Sequence, residues 1–298
     1  MSARSAVLAI INPLSGTTSV GQKARLRDTF QRRADALGFA AECVLTTHPG
    51  HATELATAAV REGVSRVLAI GGDGTINETA RALRRSATAL GIVPIGSGNG
   101  LARHLNIPLD PVSAMERALT GRPVVIDSAE INDHPFFCTA GLGFEASVAH
   151  AFAQQPVRGL PTYIRTAFQA LRSYRPERFR INGGEEKALF SLTFANAGQF
   201  GNNAWMAPTA NIADGRLEQC EVRPFPMQAG GMLVWRLFGK TIDQSAYWQG
   251  CSITTATVQT GSQIHGGPLL IHADGEPIIL PAGQAVVRVL PGSLLVLL

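Results

Sequence analysis

Cysteine is scarce in this sequence, and the four cysteines are far apart. Cys43, Cys138, Cys220 and Cys251 form no CxxC pair and have no histidine at the spacing of a metal ligand. Zinc sites and disulfide frameworks depend on such spacings, so the sequence argues against both and predicts reduced thiols. The fold must then rest on a hydrophobic core, for which 298 residues with 45% hydrophobic content are sufficient.

Long apolar runs are also missing. No stretch approaches the roughly 18 consecutive apolar residues that a membrane-spanning helix needs. The N-terminal segment MSARSAVLAIINP has one arginine before an apolar run that is too short for the core of a signal peptide. We therefore expect a cytoplasmic protein, and peripheral contact with the inner face of the membrane is compatible with this expectation.

Lysine is rare, although the chain is mildly basic. Only three of the 26 basic residues are lysines, and the formal net charge is +4. A small positive excess favours anionic partners. The expected partner is a lipid at a membrane surface rather than nucleic acid, and a homodimer is left open.

Strand-like and helix-like segments alternate over the first 125 residues. This alternation predicts right-handed βαβ crossovers and a mostly parallel sheet, whose ligands bind beyond the carboxyl ends of the strands. The predicted strands are 6–11, 40–45, 66–70 and 90–95, and the predicted helices are 21–37, 51–61, 76–84, 101–105 and 112–119. The sequence thus predicts a nucleotide-binding α/β domain over residues 1–125.

The pattern changes after Gly121-Arg122-Pro123. Short β-rich runs such as VVIDSAEI, FFCTAGLGF and CSITTATVQT follow one another, separated by turn residues such as Asp214-Gly215. Two helical stretches, 162–174 and 227–240, interrupt them. We predict an antiparallel β-sandwich domain over 126–298, with the last residues free to return to the first domain.

The sequence RVLAIGGDGTINET places three glycines and an aspartate directly after the third strand. Glycine N–H groups at the start of a helix suit phosphate oxygens, and Thr75 can cap that helix. Asp73 would repel a phosphate unless a cation lay between them, so a magnesium ligand or a proton acceptor is the natural interpretation.

Small, hydrogen-bonding residues also follow the other three strands. They are Asn12 to Gly16 after the first, Thr46-Thr47 after the second, and Gly96 to Gly100 after the fourth. Four such loops at one edge of a parallel sheet favour a nucleotide site. The pattern is neither G-x-x-x-x-G-K-[ST] nor G-x-G-x-x-G.

These motifs closely resemble the diacylglycerol kinase catalytic-domain family, which includes sphingosine kinases and bacterial lipid kinases. The resemblance covers essentially the full chain. It lies in NPLSG at 12–16, TTHPGHA at 46–52, GGDGTINE at 71–78, PIGSGN at 94–99, AGLGFEASV at 140–148, APTANIADGRLE at 207–218 and HADGEP at 272–277.

The resemblance implies ATP-dependent phosphorylation of a lipid hydroxyl, on diacylglycerol, a sphingoid base or a related lipid. It implies that ATP binds in the cleft between a Rossmann-like α/β domain, similar to that of NAD kinase, and a β-sandwich. The residues expected to line the nucleotide are Asn12, Pro13, Ser15, Gly16, Thr46, Gly71, Gly72, Asp73, Gly74, Thr75, Asn77, Glu78, Gly96, Ser97, Gly98 and Asn99.

The resemblance also implies roles for several carboxylates. Asp73 would organise Mg²⁺ or act as the base, and Asp127 would join the magnesium network. Asp274 and Glu276 would be the acidic pair near the substrate hydroxyl. The residues alone leave open which carboxylate accepts the proton. A polar β-turn is the alternative explanation of the segment HADGEP.

A second cation site is implied in the β domain. Asp214, with backbone carbonyls near Asn211 and Arg216, matches a structural magnesium site of some bacterial members. One departure concerns the substrate: Gly100 stands where bacterial diacylglycerol kinases commonly have aspartate, which is more like the sphingosine kinases. The alternatives are an NAD kinase-like or other small-molecule kinase, and a catalytically silent lipid-binding protein.

Two helical stretches raise a membrane hypothesis. On 162–174, an apolar stripe that includes Ile164 and Phe168 lies beside a basic face that includes Arg165 and Arg172, with Arg158 nearby. Docking to anionic lipid headgroups and a solvated basic face are both compatible with this pattern. The apolar stretch 227–240 would line a lipid-entry cleft or pack on the β domain. His104 and His265 have no partner in the sequence that predicts catalysis.

Overall fold

The chain folds into two compact units. A computed structural model describes residues 6–16, 20–156, 159–260, 268–281 and 284–298, so Arg158 and His265 lie outside the described residues. The first unit runs to Ile126 and includes Gly292–Leu298, and the second comprises Asp127–Pro291.

The first unit is an α/β domain. Its sheet has the order β2-β1-β3-β4, and all three neighbouring pairs are parallel. Its elements are β1 Ala6–Ile11, α1 Val20–Ala36, β2 Ala40–Leu45, α2 His51–Arg61, β3 Arg66–Gly71, α3 Asp73–Leu83, β4 Ala89–Pro94, α4 Gly100–His104 and α5 Pro111–Thr120.

Burial explains why these strands form. β3 and β4 are almost entirely buried, as expected for parallel strands that are covered on both faces and read as continuous apolar runs. β2 lies at the edge of the sheet and is partly exposed along its length. The predicted parallel α/β domain is confirmed.

The second unit contains two antiparallel sheets. One has the order β12-β11-β10-β7-β14-β15, and the other contains β16-β13-β8-β9. In chain order the elements are β5 Pro123–Ile131, β6 His134–Phe136, β7 Thr139–Gly143, α6 Phe144–Ala153, α7 Leu160–Ser173, β8 Glu177–Ile181, β9 Glu186–Leu189, β10 Ser191–Ala195, β11 Leu217–Val222, α8 Gly230–Phe238, β12 Trp248–Ile253, β13 Thr255–Thr260, β14 Leu269–Ala273, β15 Glu276–Leu280 and β16 Ala285–Leu297, with 3-10 turns at Met227–Ala229 and Ile242–Gln244.

Both sheets of the second unit contribute to one core. Phe194 and Ile271 come from the six-stranded sheet, while Phe179 and Val287 come from the other, and all four are fully buried in the same cluster. Two antiparallel sheets that share an inner layer form a β-sandwich. The predicted antiparallel β-sandwich is confirmed.

The last strand belongs to both units. Ala285–Arg288 pair antiparallel with β13 in the second unit. Further along the same strand, Val296 pairs parallel with Leu90 of β4, at the edge of the first unit's sheet. The backbone N–H of Arg85 also donates to the carbonyl of Ser293 (2.7 Å).

Two predicted segments were wrong in detail. FFCTAGLGF reads as one β-rich run, but Gly143 adopts φ 83° and ends β7, after which α6 begins at Phe144. The helix predicted from residue 76 begins at Asp73, inside the glycine segment, because an extended Gly72 precedes it as the N-cap.

The described helices contain no candidate for a membrane span. Among the residues that the structure covers, no helix is both long enough and apolar enough to cross a bilayer.

Candidate active site

Side-chain hydrogen bonds join the loops that follow β1 and β3. Nδ2 of Asn12 donates to Oγ1 of Thr75 (3.0 Å), and the N–H of Gly72 donates to Oγ of Ser15 (3.2 Å). The N–H of Leu14 donates to Oδ1 of Asn12 (2.8 Å), which turns the first loop back on itself. Because β1 and β3 are parallel neighbours, their carboxyl ends bring these residues together.

The loops after β3 and β4 touch through glycine. A Cβ added to Gly96 would lie 2.7 Å from Cα of Gly72 and 2.9 Å from Oδ1 of Asn99. Asn99 adopts the left-handed region (φ 52°), and its side chain bonds both the N–H and the carbonyl of Gly96. The contact is therefore between backbones, and Gly96 has no room for a side chain.

Asp73 connects the same two loops. Its Oδ1 accepts the N–H of Gly100 (2.7 Å), and its Oδ2 accepts the N–H of Asn99 (2.8 Å). Burial raises the pKa of the Asp73 carboxyl, and the amides of Gly100 and Asn99 and the charge of Arg103 offset part of that rise. A partly desolvated carboxylate is stabilised by a nearby cation or by binding a proton. Both expected roles of Asp73, magnesium ligand and proton acceptor, are compatible with this environment.

Glu78 has a positioning function in the first unit. Its carboxylate accepts the N–H of Gly50 (3.0 Å) and of Ala52 (3.3 Å) at the start of α2. Negative charge there is favoured by the helix dipole. Glu78 thus fixes the loop that follows Thr46, whose own N–H donates to the carbonyl of Ile11 (2.9 Å).

Lys23 was missed by sequence reasoning. It lies on α1, is 7% exposed, and its Nζ donates to the backbone carbonyl of Pro13. Burial lowers its pKa. The only signal in the sequence for Lys23 was the rarity of lysine. Its hydrogen bond to Pro13 places a cation at the loop of Asn12 to Gly16.

Several backbone N–H groups of the glycine loops are not used within the fold. Across the described ranges, the N–H groups of Gly74, Ser97 and Gly98 have no hydrogen-bond acceptor. Gly74 and Ser97 are exposed, and Gly98 is half-buried. Free N–H groups beside a helix N-terminus form a concave anion site without further rearrangement.

The second unit brings Asp127 to the loop 211–216. Oδ2 of Asp127 accepts the N–H of Gly215 (2.7 Å), and its N–H donates to the carbonyl of Ile212 (2.8 Å). Asn211 and Asp214 each accept an N–H two residues ahead, and both are exposed, as is Arg216. Asp127 therefore holds this loop in shape.

The described side chains around that loop do not by themselves form a complete set of metal ligands. In the part of the chain that the structure describes, no three His, Cys, Asp or Glu side chains meet as metal ligands. Burial, and then the charge of Asp214, raise the pKa of Glu218. These two carboxylates would gain from a cation placed beside them.

Asp274 is held by backbone N–H groups. Its Oδ1 accepts from Cys138 (2.8 Å) and Thr139 (3.0 Å), and its Oδ2 accepts from Phe137 (2.8 Å). Asp274 (φ 50°) and Gly275 (φ 81°) form the two-residue turn between β14 and β15, where Ala273 pairs with Glu276. The backbone of HADGEP therefore forms the polar β-turn that was one of the two interpretations of this segment. Glu276 follows the turn directly and is half-buried.

Replacing Asp274 by asparagine should destabilise the second unit. Asparagine tolerates the positive φ but has a single acceptor oxygen, so one of the three backbone N–H groups loses its partner. We expect the free energy of unfolding in urea to fall by about 2 kcal/mol. Asp133→Asn, at an exposed aspartate in the turn between β5 and β6, is the matched acid-to-amide control and should leave that free energy nearly unchanged. Equal stability of the two variants would contradict the structural role of Asp274.

Both halves of the chain match known families. Residues 6–131 match the diacylglycerol kinase catalytic domain, and residues 138–298 match the YegS C-terminal NAD kinase beta sandwich-like domain. The chain belongs to the diacylglycerol kinase catalytic-domain family. The resemblance that the glycine loops indicated is therefore confirmed.

Relatives named as probable lipid kinases match large parts of this chain. "Probable lipid kinase YegS-like" from Chromohalobacter salexigens is 35% identical over 191 residues, which is 61% of this chain and 61% of the relative. "Probable lipid kinase YegS" from Salmonella arizonae is 31% identical over 262 residues, 84% of this chain and 83% of the relative. The chain thus covers about three fifths of the first relative's length.

Two crystal structures of bacterial proteins have the same fold as this chain. A crystal structure of a diacylglycerol kinase from Bacillus anthracis superposes with a TM-score of 0.71 at 16% identity, covering 100% of this chain and 98% of that chain. A further crystal structure from the same bacterium gives a TM-score of 0.77 at 19% identity over the same shares. At such identities the agreement concerns the fold alone.

Proposed function

We propose that this protein is a lipid kinase that transfers the γ-phosphoryl group of ATP to a lipid hydroxyl with the help of Mg²⁺. The supporting observation is the joined set of loops in the first unit. Asn12, Ser15 and Thr75 bind one another, Gly72 contacts Gly96, and free N–H groups remain beside them. Family membership and the names of the relatives agree with a kinase that acts on lipid.

The residues present fit a nucleotide and its cation. The N–H groups of Gly74, Ser97 and Gly98 would hold phosphate oxygens, and the desolvated carboxylate of Asp73 would hold Mg²⁺. When bound, MgATP supplies the phosphoryl group together with neutralisation of its charge. The glycine contacts keep side chains out of the space that phosphate groups would enter.

The reaction requires one proton acceptor. The lipid hydroxyl oxygen bonds to the γ-phosphorus, the bond from that phosphorus to the bridging oxygen of ADP breaks, and the hydroxyl proton moves to a carboxylate. We favour Asp73 and Glu276 over Asp274 as that carboxylate, because Asp274 already accepts three backbone hydrogen bonds.

Labelled ATP tests this function directly. The protein is incubated with γ-labelled ATP, Mg²⁺ and vesicles of a total lipid extract, and the lipid that gains label is identified by mass spectrometry. A parallel reaction contains NAD in place of lipid. Label in NAD alone would support the NAD kinase alternative, while binding of lipid without any transfer of label would support the silent lipid-binding alternative.

We further propose that α7 contacts an anionic membrane surface. The helix is reversed relative to ordinary amphipathic packing: Thr162 and Thr166 are buried, while Ile164 and Phe168 are 55% and 58% exposed. Arg165 and Arg172 are exposed on the same helix, which contains no acidic residue. An exposed apolar face flanked by arginine is typical of helices that lie in the lipid interface.

α8 supports the same contact. Leu233 is buried and Leu237 packs on the core, so the packing interpretation holds for this side of the helix. Its other side exposes Val234 (56%) and Trp235 (68%), and tryptophan favours the headgroup region of a bilayer. α7 and α8 also adjoin one aromatic cluster, because Phe190 contacts both Tyr174, after α7, and Phe225, before α8.

Removing the exposed side chains of α7 should weaken binding to vesicles. Each large apolar side chain contributes about 2 kcal/mol when it leaves water, so Ile164→Ser with Phe168→Ser should lower the partition coefficient at least about tenfold. Sedimentation with vesicles of phosphatidylglycerol and phosphatidylcholine measures this. Val112→Ser, at a 43% exposed valine of α5, is the control. Equal vesicle binding by the α7 double variant and the Val112→Ser control would refute contact through α7.

A homodimer remains a proposal that light scattering can test.

A further inference from the structure

A buried carboxylate and a buried histidine meet in the second unit. Glu145, in the first turn of α6, is 8% exposed, and His272, on β14, is 3% exposed. Oε2 of Glu145 lies 3.2 Å from Nε2 of His272, within the distance of an ion pair, but the two atoms are not aligned as a hydrogen bond. Ionisable side chains are seldom buried this far unless they are paired, so the pair must have a defined arrangement of protons.

The sheet creates the space for this pair. Thr193 of β10 pairs with Gly141 of β7, and Gly141 pairs with His272 of β14, so the three residues form one row across neighbouring strands. A Cβ at Gly141 would lie 2.4 Å from Oε1 of Glu145 and 2.9 Å from Nε2 of His272. The missing side chain lets Glu145 reach between its neighbours, where Oγ1 of Thr193 donates to its Oε1 (2.6 Å).

The second nitrogen of His272 faces the turn that precedes Glu276. The backbone N–H of Gly275 donates to Nδ1 of His272 (3.3 Å). Since Nδ1 accepts a hydrogen bond, the proton of the neutral ring is on Nε2, opposite the carboxylate of Glu145. The charge of the Glu145 carboxylate, 3.2 Å from Nε2, favours this tautomer, which leaves Nδ1 able to accept.

This contact fills a gap in the hydrogen bonding of the turn. In a two-residue hairpin the strand ladder closes on the flanking residues, here Ala273 and Glu276, and the N–H of the second turn residue has no place in it. His272 supplies the missing acceptor for Gly275. The orientation of the peptide group between Asp274 and Gly275 sets the direction of the backbone at Glu276.

We propose that Glu145 and His272 are positioning residues that set the direction of the Glu276 carboxylate for phosphoryl transfer. The proposal rests on the proposed function, because it assigns importance to Glu276 in that reaction. The order of contacts is Thr193 to Glu145, Glu145 to His272, and His272 to Gly275. Neither positioning residue needs to touch the substrate.

Two replacements of His272 separate its two nitrogens. His272→Asn places a carbonyl oxygen where Nδ1 was and keeps an acceptor for Gly275, whereas His272→Gln extends toward Glu145 and lacks that acceptor. We measure kcat and the KM for MgATP with vesicles of total lipid extract, and the thermal midpoint of each variant. The asparagine variant should have a kcat at least about tenfold above that of the glutamine variant, with similar KM values.

The histidine tautomer provides a measurement that does not depend on activity. Ring ¹⁵N chemical shifts of the wild-type protein should show His272 protonated at Nε2, and Glu145→Gln should shift them and speed the exchange of the Gly275 amide. Protonation at Nδ1 in the wild type would overturn the proposal. An equal kcat for the two His272 variants at equal thermal midpoint would also overturn it. If the wild type phosphorylates no lipid, the proposed function fails, while the ring shifts still decide whether this pair exists.

Discussion

Asp73→Asn is expected to lower the rate of lipid phosphorylation on the order of a hundredfold or more, because it removes the partly desolvated negative charge of the glycine loops. Asparagine keeps the size of the side chain. It also keeps one oxygen that can accept from Asn99 or Gly100, so the two loops should remain associated. The initial rate with labelled ATP and lipid vesicles measures the loss.

Asp110→Asn is the matched control for Asp73→Asn. Asp110 is also an aspartate at the start of a helix. As the N-cap of α5, its Oδ2 accepts the backbone N–H of Ser113. It lies outside the glycine loops, and asparagine is an equally good N-cap, so the rate should stay close to that of the wild type. An Asp73→Asn protein with an undiminished rate would contradict a catalytic or metal-binding role of Asp73.

Gly96→Ala is expected to separate the loops after β3 and β4. Its new methyl carbon would lie 2.7 Å from the Cα of Gly72, and a backbone atom cannot move aside as a flexible side chain would. We expect the affinity for MgATP, measured by calorimetric titration, to fall at least about tenfold. The free energy of unfolding should fall by about 1–3 kcal/mol.

Gly21→Ala is the control for the Gly96 replacement. A Cβ at Gly21, in the first turn of α1, meets nothing within 4 Å, so alanine should be tolerated and should favour the helix slightly. Nucleotide affinity should be unchanged in this variant. If the two alanine variants bound MgATP equally well, the close contact between Gly72 and Gly96 would have no bearing on the site.

The first unit could be predicted closely from the sequence because its signals are local. β1, β3 and β4 are continuous buried apolar runs, each bounded by small polar residues. The same polar residues follow parallel strands, so topology alone brings Asn12, Thr75 and Gly96 to one edge. Fold class and the location of the candidate site therefore followed from strand order.

The sequence could not reveal contacts between residues that are distant along the chain. Asp274 accepts from N–H groups more than 130 positions away, and Glu78 accepts from Gly50, in neither case with a periodic pattern that would indicate it. Glu145 and His272 were present in the quoted motifs AGLGFEASV and HADGEP without being singled out. Only the structure shows that they meet, because the register of β7 with β14 places Gly141 beside His272 and leaves space there for Glu145.

The reversed burial of α7 was also beyond the sequence. Periodicity showed a stripe that includes Ile164 and Phe168, and such a stripe normally faces the core. The structure instead buries Thr162 and Thr166 and exposes Ile164 and Phe168, while Ala167 and Leu171 of the same stripe are half-buried. A hydrophobic period indicates that two faces differ, but the neighbouring elements determine which of them turns inward.

The shared final strand has a consequence for synthesis on the ribosome. β4 gains its second neighbour only from residues near Val296, which are translated about 200 residues after Leu90. Until then the nascent first unit has an open sheet edge, and such edges pair readily with other chains. A fragment that ends at residue 126 should therefore aggregate when expressed alone, and a peptide of residues 292–298 added in trans should reduce that aggregation.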